Sequence, residues 1–293
     1  MRRPAVAYLA LAVASLLFGA TFVVVKDAVT TLPPLGFVGW RFGLGAIVLG
    51  VFGLPRSTRT WREGTIAGLF LFSGYALQTQ GLTTSTASNS GLITGLYVVL
   101  TPLAASAIAR RLPRPLMIGG ALLAFGGFAV LTLADGLRLE PGDLYTVACA
   151  AAFAGHIVYL SRVAHRHRVI PFTAVQLLVT GALGLGGSAV LERFQAPGAE
   201  TWTAVVVTGV AVSAGAFFLQ VWSQTIIGPA RTAIVLALEP AFAAATGAIV
   251  LGERLGTRGL IGAALILGGI YVVLAGTGAE DELPTGEAVS PAH

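Results

Sequence analysis

The sequence predicts an all-α integral membrane protein: ten transmembrane helices arranged as two inverted five-helix repeats, with both termini inside (N-in/C-in). Three observations carry this. The 293 residues are 55% hydrophobic and only 11% charged, with a mean hydropathy of +0.83, too apolar for a water-soluble domain of this size. Ten apolar runs of membrane-spanning length can be counted along the chain. The second half of the chain also restates the first.

Composition removes several alternatives. The apolar runs are continuous over about twenty residues instead of alternating, which argues against a β-barrel. One cysteine, Cys149, excludes an internal disulfide framework and offers no metal cluster, so no metal site is expected. The net charge of +5 comes from seventeen arginines and one lysine that lie mostly between apolar runs. There they act as topology signals, and no nucleic-acid partner is expected. The thirty-eight glycines suit close helix packing in lipid.

Taken in order, the first run, residues 5–25, follows Arg2-Arg3 and resembles a signal peptide only at its start. It is longer than a typical signal h-region and more spans follow, so it is read as an uncleaved first helix. The next runs are 35–54, 64–82, 86–109 and 116–134, and the second set is 144–160, 172–191, 202–223, 230–251 and 259–276. Short connections rich in Pro and Gly separate them, as at Pro33-Pro34, Pro55, Pro113 to Pro115, Pro141-Gly142, Pro197-Gly198 and Gly228-Pro229. Residues 277–293 are acidic and contain proline, as expected of a disordered cytoplasmic tail.

Orientation follows from the loops. With the N-terminus inside, the inner loops hold Arg2, Arg3, Arg56, Arg59, Arg62, Arg110, Arg111, Arg114, Arg162, Arg166, Arg168 and Arg231. The outer loops hold only Lys26, Arg138, Arg193, Arg254 and Arg258. Twelve against five sets N-in and, with ten spans, C-in.

The repeat is most visible where residues 118–131 align with 261–274, with seven identities in fourteen positions. Upstream, Leu100-Thr101-Pro102 matches Leu238-Glu239-Pro240 after a five-residue length difference in the hinge. Phe18-Gly19 matches Phe153-Ala154, Arg41 matches Gln176, and Leu77-Gln78 matches Leu219-Gln220. Repeats of 1–137 and 138–276 contain five spans each. Because five is odd, the two copies enter the bilayer from opposite sides, an arrangement characteristic of alternating-access carriers with a midplane site.

Three stretches carry a resemblance to a known family. They are residues 18–26 (FGATFVVVK), residues 85–102 (STASNSGLITGLYVVLTP), and Leu238-Glu239-Pro240 with Gly252-Glu253-Arg254-Leu255. On these the chain resembles the EamA-type permeases of the drug/metabolite transporter superfamily, over everything but the tail. The resemblance implies a ten-helix carrier whose central cavity is lined largely by spans 3, 4, 8 and 9, with spans 5 and 10 as peripheral scaffold. The first hinge, Arg110-Arg111-Leu112-Pro113-Arg114, departs from the Gly-Glu-Arg pattern of the second, which puts equal motion of the two hinges in question.

Ionisable residues inside the spans are few, and a charge in lipid needs a reason. Arg41, His156, Arg231 and Glu239 stand out. Counting about 1.5 Å of rise per residue puts Tyr97, His156 and Glu239 at roughly 17, 20 and 18 Å from the outer ends of their spans, one level near mid-bilayer. Ser90, Thr94, Tyr97 and Thr101 form one stripe, and Ser213, Phe217, Gln220 and Gln224 another. Thr232, Glu239 and Thr246 recur every seven residues. Such stripes face the bundle interior, either to line a path or to bond helix to helix.

The candidate substrate-binding residues are therefore Tyr97, His156, Glu239, Thr94, Thr101, Gln78, Gln220, Trp222, Arg41 and Asn89. Glu239 is read as a group that binds a cationic moiety or exchanges protons; the alternative is a buried structural carboxylate, either protonated in its apolar setting or paired with Arg41 or another cation. His156 is the second candidate for proton coupling, against a satisfied core histidine. Arg41 would meet a substrate carboxylate or Glu239, and Arg231 reads as an orientation arginine. Trp40, Tyr75, Tyr97, Tyr159 and Trp222 are candidates to cage a planar or cationic group. Pro102 and Pro240 are the expected hinges.

The expected function is a secondary active transporter in the inner (plasma) membrane, multi-pass, exporting small metabolites such as amino acids or related amphipathic or cationic compounds by alternating access. No P-loop is present, so neither ATP nor another cofactor is expected, and no catalytic residue. Alternatives are a channel or facilitator, or an intramembrane enzyme. Against the enzyme, there is no His-Glu-x-x-His, no Gly-x-Ser-x-Gly, and a single intramembrane carboxylate. The expected partners are a small-molecule substrate, the lipid bilayer and protons, with the protein acting as a monomer or homodimer.

Overall fold

A computed structural model describes residues 3–132, 140–227 and 229–276 of the chain. The 277–293 tail, the repeat junction at 137/138 and the side chain of Arg231 lie outside the described residues. In order the elements are α1 (Arg3–Ala28), α2 (Pro34–Phe52), α3 (Thr58–Gly81), α4 (Ala87–Thr94), α5 (Leu96–Ile108), α6 (Pro115–Thr132) and α7 (Pro141–Val163). They continue with a short 3₁₀ turn, α8 (Val169–Leu191), α9 (Ala199–Val207), a π-helical stretch (Thr208–Ala216), α10 (Phe217–Gln224), α11 (Pro229–Leu236), α12 (Glu239–Val250) and α13 (Thr257–Gly276). Among the described residues there is no strand.

Proline punctuation becomes helix starts: α2, α6, α7 and α11 each begin on one, where the fixed φ suits the first turn and the missing N–H costs nothing. Ser57 and Thr86 cap α3 and α4 by accepting from the amides of Arg59 and Asn89. Val51, Val190 and Ile249 are all more than three-quarters exposed, which is what a lipid-facing surface requires.

Seven helical segments are long and apolar enough to cross a membrane: Pro4–Ala28, Pro34–Phe52, Ala87–Ile108, Pro141–Arg166, Val169–Leu191, Ala199–Gln224 and Thr232–Val250. Pro115–Val130 and Thr257–Val273 are apolar but shorter. The remaining expected span falls on α3, which is long enough but carries Arg59, Arg62, Glu63, Gln78 and Gln80. Three of the expected spans are interrupted: at Gly95, by the π-helical stretch, and at Ala237-Leu238.

The most extensive pairings cross the sequence midpoint. They are α6 with α13, α2 with α8, α3 with α7 and α8, α1 with α12 and the π-helical stretch, α4 with α12, and α5 with α7. Of the paired glycines in the fifth and tenth runs, Gly127 and Gly269 face each other's helix in the α6–α13 contact, while Gly126 faces open space.

The two hinges share one device. α5 ends with Arg110 at φ 52, Arg111 N donating to Ser106 O (3.0 Å) and Arg110 N to Ala107 O (3.1 Å). α12 ends with Gly252 at φ 66. An arginine in this region costs about 1 kcal/mol that glycine avoids. Arg110→Gly is thus expected to raise stability in detergent by about 0.5 to 1 kcal/mol, the gain being trimmed by glycine's unfolded-state entropy. Thermal unfolding midpoints check this, and a lower midpoint would contradict it.

Both ends of the bundle are fastened across the sequence midpoint. At one end Glu253 accepts from the amides of Ala87 (2.9 Å) and Ser88 (2.8 Å), the N-terminus of α4. Glu192 does the same for Leu35 (3.0 Å) and Gly36 (3.1 Å) at the start of α2. Lys26 donates to the carbonyls of Leu82 and Ser85, both at 2.8 Å, and Ser85 Oγ donates to Asp143 at 3.0 Å. The loop between α3 and α4 is therefore held by α1, α7 and the α12–α13 hinge.

At the opposite end, just before the third apolar run, Glu63 meets His167 Nε2 at 2.6 Å and Arg59 Nε at 2.9 Å. His167 stacks on Phe172 at 4.6 Å. Burial pushes the Glu63 carboxyl up, but hydrogen bonds from His167 and Arg59 outweigh it and hold the group below the usual carboxylate range. A carboxylate depressed in the folded state adds stability above its unfolded pKa, about 4.3, and loses it as pH falls through the folded value. Unfolding midpoints are expected to drop below about pH 4 in the wild type, and Glu63→Gln to flatten that part of the profile. Superimposable pH profiles would remove Glu63 from the acid response.

Candidate functional site

Pro240 lies four residues after Leu236, so its missing N–H leaves the Leu236 carbonyl without its helical donor. The helix breaks there, α11 ending at Leu236 and α12 beginning at Glu239. Tyr97 Oη, from α5, fills the gap: it lies 3.2 Å from Leu236 O and 2.9 Å from Glu239 Oε2. Glu239 is 6% exposed and Tyr97 2%, so this is a desolvated polar cluster.

Close backbone approach sets the cluster's position. A Cβ on Gly19 of α1 would stand 2.8 Å from Glu239 O and 2.6 Å from Phe242 Cβ, so only glycine lets α1 reach the break. Gly95, at the α4–α5 break, is pressed against the Pro240 ring in the same way. The two breaks therefore meet, and this contact aims Tyr97 at Glu239.

The cluster opens on a cavity of about 30 Å³ lined by Phe18, Tyr75, Tyr97, Phe153, His156, Ile157, Phe217, Gln220, Leu236 and Glu239. That is enough for water and an order of magnitude below the roughly 300 Å³ of a small ligand pocket. The aromatic rings are coupled: Phe18 to Phe217 at 5.0 Å, Tyr75 to Phe153 at 5.1 Å, Tyr75 to Phe217 at 5.8 Å and Tyr97 to Phe153 at 6.3 Å. His156 Nε2 is 2.9 Å from Gln176 Oε1, and Gln176 in turn donates to Phe172 O at 3.3 Å. With nitrogen-to-oxygen pairing of this kind the imidazole donates to the amide.

Tyr97, His156 and Glu239, which rise per residue puts at one depth, line the same cavity, and Gln220 joins them there. The other six candidates stand elsewhere. Gln78 donates to Thr94 Oγ1 at 3.4 Å, and Thr101 turns back to Tyr97 O at 2.7 Å, so these three serve helix contacts. Asn89 lies in the first turn of α4, its amide donating to Thr86 Oγ1 at 3.1 Å. Trp222 packs against the main core outside the cavity lining. Arg41 makes no ion pair with Glu239; its Nε donates to Ser213 Oγ at 3.2 Å. Of the hinge prolines, Pro240 is at the break, whereas Pro102 is inside α5 and the turn falls at Gly95 instead.

Of the caging aromatics, Tyr75 and Tyr97 line the cavity. Trp40 joins Phe194 and Trp202 and donates to Gln195 O, and Tyr159 pairs with Phe70. Phe153, Ile157 and Leu236 enter the lining without having been singled out for it, while Phe217 comes from the inward stripe of Ser213, Gln220 and Gln224. The internal alignment of Phe18 with Phe153 held a signal for two of the rings. Among the described residues, no group of three His, Cys, Asp or Glu is placed to hold a metal ion.

An EamA-like transporter family description matches residues 5–133 and 140–275. An uncharacterized transporter of Archaeoglobus fulgidus is 32% identical over 271 residues, covering 90% of this chain and 84% of that one. A WAT1-related protein of Arabidopsis thaliana is 25% identical over 198 residues, 58% of this chain and 51% of its own length. A protein of known crystal structure superposes with a TM-score of 0.67 at 23% identity, over 92% of this chain and 96% of that one, which shows a shared fold. With apolar helices, a polar cluster at a helix break and a family match over nearly the whole chain, this protein belongs to the EamA-like transporter family and is a multi-pass membrane transporter of the drug/metabolite type.

Proposed function

We propose that this transporter is a secondary active exporter of small cationic or amphipathic metabolites, amino acids and related compounds among them, and that it binds substrate or proton at Glu239. The observation that carries the reading is the Tyr97 bridge. With Glu239 ionised, Tyr97 donates to Oε2; with Glu239 protonated, the carboxyl donates to Tyr97 and Tyr97 turns its proton to Leu236 O. The Glu239–Tyr97 hydrogen bond is kept in both protonation states, so the carboxyl can change charge without losing its partner, and the Leu236 carbonyl takes the Tyr97 proton in the protonated state. Five aromatic rings around the carboxylate would receive an ammonium once the cavity widens.

Alternating access is the mechanism of this reading, with ten spans as inverted repeats over 1–137 and 138–276, N-in/C-in, in the inner membrane. The packing supports it. Exchanging spans 1–5 with 6–10 turns the pairing of α3 with α7 into that of the π-helical stretch with α1, and α3 with α8 into the π-helical stretch with α2. The same exchange maps α1 with α12 onto α7 with α4 and α5, and α2–α8, α4–α12 and α6–α13 onto themselves. A cavity of only about 30 Å³ favours a carrier that rearranges over an open pore. Pro240 would serve as the bend.

The test is counterflow. Purified protein in liposomes is screened by thermal shift against amino acids, amines, nucleosides and lipophilic cations, and any hit is loaded inside the vesicles. Accelerated, saturable uptake of the labelled hit, altered by an imposed pH gradient, is the expected result. Unitary currents without counterflow would overturn it.

A further inference from the structure

Arg41 is the one charged side chain among the described residues that is fully buried with donors left over: Nη1 and Nη2 have no hydrogen-bond partner. Its single hydrogen bond runs from Nε to Ser213 Oγ at 3.2 Å. The rings of Phe42, Tyr75 and Phe37 lie 4.9, 5.0 and 5.9 Å from the guanidinium carbon. Ring faces offset part of the cost of a buried cation, but they leave the in-plane N–H groups unused. An arginine stays protonated, so an unpaired fork inside a membrane bundle is costly unless something else occupies it during the protein's cycle.

Two features of the surroundings point to that occupant. Ser213 belongs to the π-helical stretch, and the backbone there lies against α2: a Cβ on Gly209 would be 2.9 Å from Arg41 O. π-Helical segments are rare and frequently sit at functional sites, where a register change moves side chains without unfolding the helix. Tyr75 and Phe42 also pack together at 4.7 Å, and Phe42 reaches Phe217 at 6.0 Å. Tyr75 and Phe217 line the central cavity. The rings on the guanidinium and the rings lining the Glu239 cavity are thus one connected cluster, with Tyr75 in both.

We propose that Arg41 is an anion-accepting subsite of the transport path: a carboxylate of the transported molecule takes Nη1 and Nη2 in a bidentate pair, with Ser213 beside it, when Tyr75 swings off the guanidinium. The planar two-donor edge matches a carboxylate better than a spherical halide. The assignment concerns an anion at Arg41 and stands apart from the reading of Glu239 as the cation or proton site.

The experiment uses full-length protein in detergent and in liposomes, with sodium benzoate as ligand and sodium chloride and benzylamine as controls. Benzoate is expected to raise the unfolding midpoint saturably, by roughly 5 °C near a hundredfold excess over Kd, and chloride at equal strength to have little effect. Arg41→Gln should abolish the response, and Ser213→Ala, which keeps the guanidinium, should weaken Kd about fivefold. Labelled benzoate should also show counterflow. No saturable shift in the wild type, an undiminished shift in both variants, an equal shift with chloride, or stabilisation without benzoate counterflow would each overturn the proposal. Benzoate stabilisation persisting in Glu239→Gln, while amine counterflow is lost, separates this site from the first.

Discussion

Glu239→Gln is expected to cut counterflow of a cationic substrate by about two orders of magnitude and to erase its response to a pH gradient. The amide keeps the shape of the carboxylate and still accepts from Tyr97, so the protein should fold. What disappears is the charge, and a hydrogen bond to a charged group in a desolvated site is worth about 1.5 to 3 kcal/mol, or roughly 10- to 150-fold. Tyr97→Phe provides the contrast. It leaves the Leu236 carbonyl and the Glu239 carboxyl without their shared partner, and should lower stability by about 1 to 3 kcal/mol as well as slowing transport. If Glu239→Gln carried substrate at the wild-type rate with the same pH dependence, Glu239 would be structural.

The second large effect is expected at the hinge. Glu253→Ala removes both acceptors from the first amides of α4, a charge at a helix N-terminus where it is best placed. The loss, about 2 to 3 kcal/mol, falls on a contact between the two halves of the chain, so it should appear as easier opening of that end. Cys149, fully buried and the chain's one cysteine, reports it: its alkylation by a maleimide should speed up about 30- to 150-fold. Glu253→Gln, which retains one acceptor, should fall between. Unchanged labelling in Glu253→Ala would mean that the carboxylate caps α4 without restraining it. The geometry gives this end an advantage, because α12 runs ten residues past Pro240 while α5 runs six past Pro102. That extra turn carries the hinge to α4.

Much of the site was legible before any tertiary structure. Tyr97, His156 and Glu239 were placed at one depth by rise per residue, and the cavity joins them. Gln220 came from the stripe of Ser213, Phe217, Gln220 and Gln224 and also lines it. The remaining candidates were selected by the same rule and went elsewhere, because a polar side chain on an inward face is equally well satisfied by a neighbouring helix. Gln78 with Thr94 and Thr101 with its own backbone are that outcome. Part of the aromatic lining was hidden for the opposite reason: Phe18 and Phe153 have the composition of residues that face lipid, and hydropathy cannot tell a lipid contact from a cavity wall.

The amino-acid sequence alone determined that the chain is a helical membrane protein, that its second half echoes its first, and that Glu239-Pro240 is where the echo changes chemistry. These depend on composition and spacing, which are local. Tertiary structure decided that Tyr97 takes the carbonyl freed by Pro240, that Gly19 and Gly95 let α1 and the α4–α5 break come against it, and that Arg41 packs on aromatic rings and bonds Ser213 instead of pairing with Glu239. Those outcomes depend on how helices rotate about their axes and where they break. Close packing against other helices sets both, and that information is spread over residues more than a hundred positions apart.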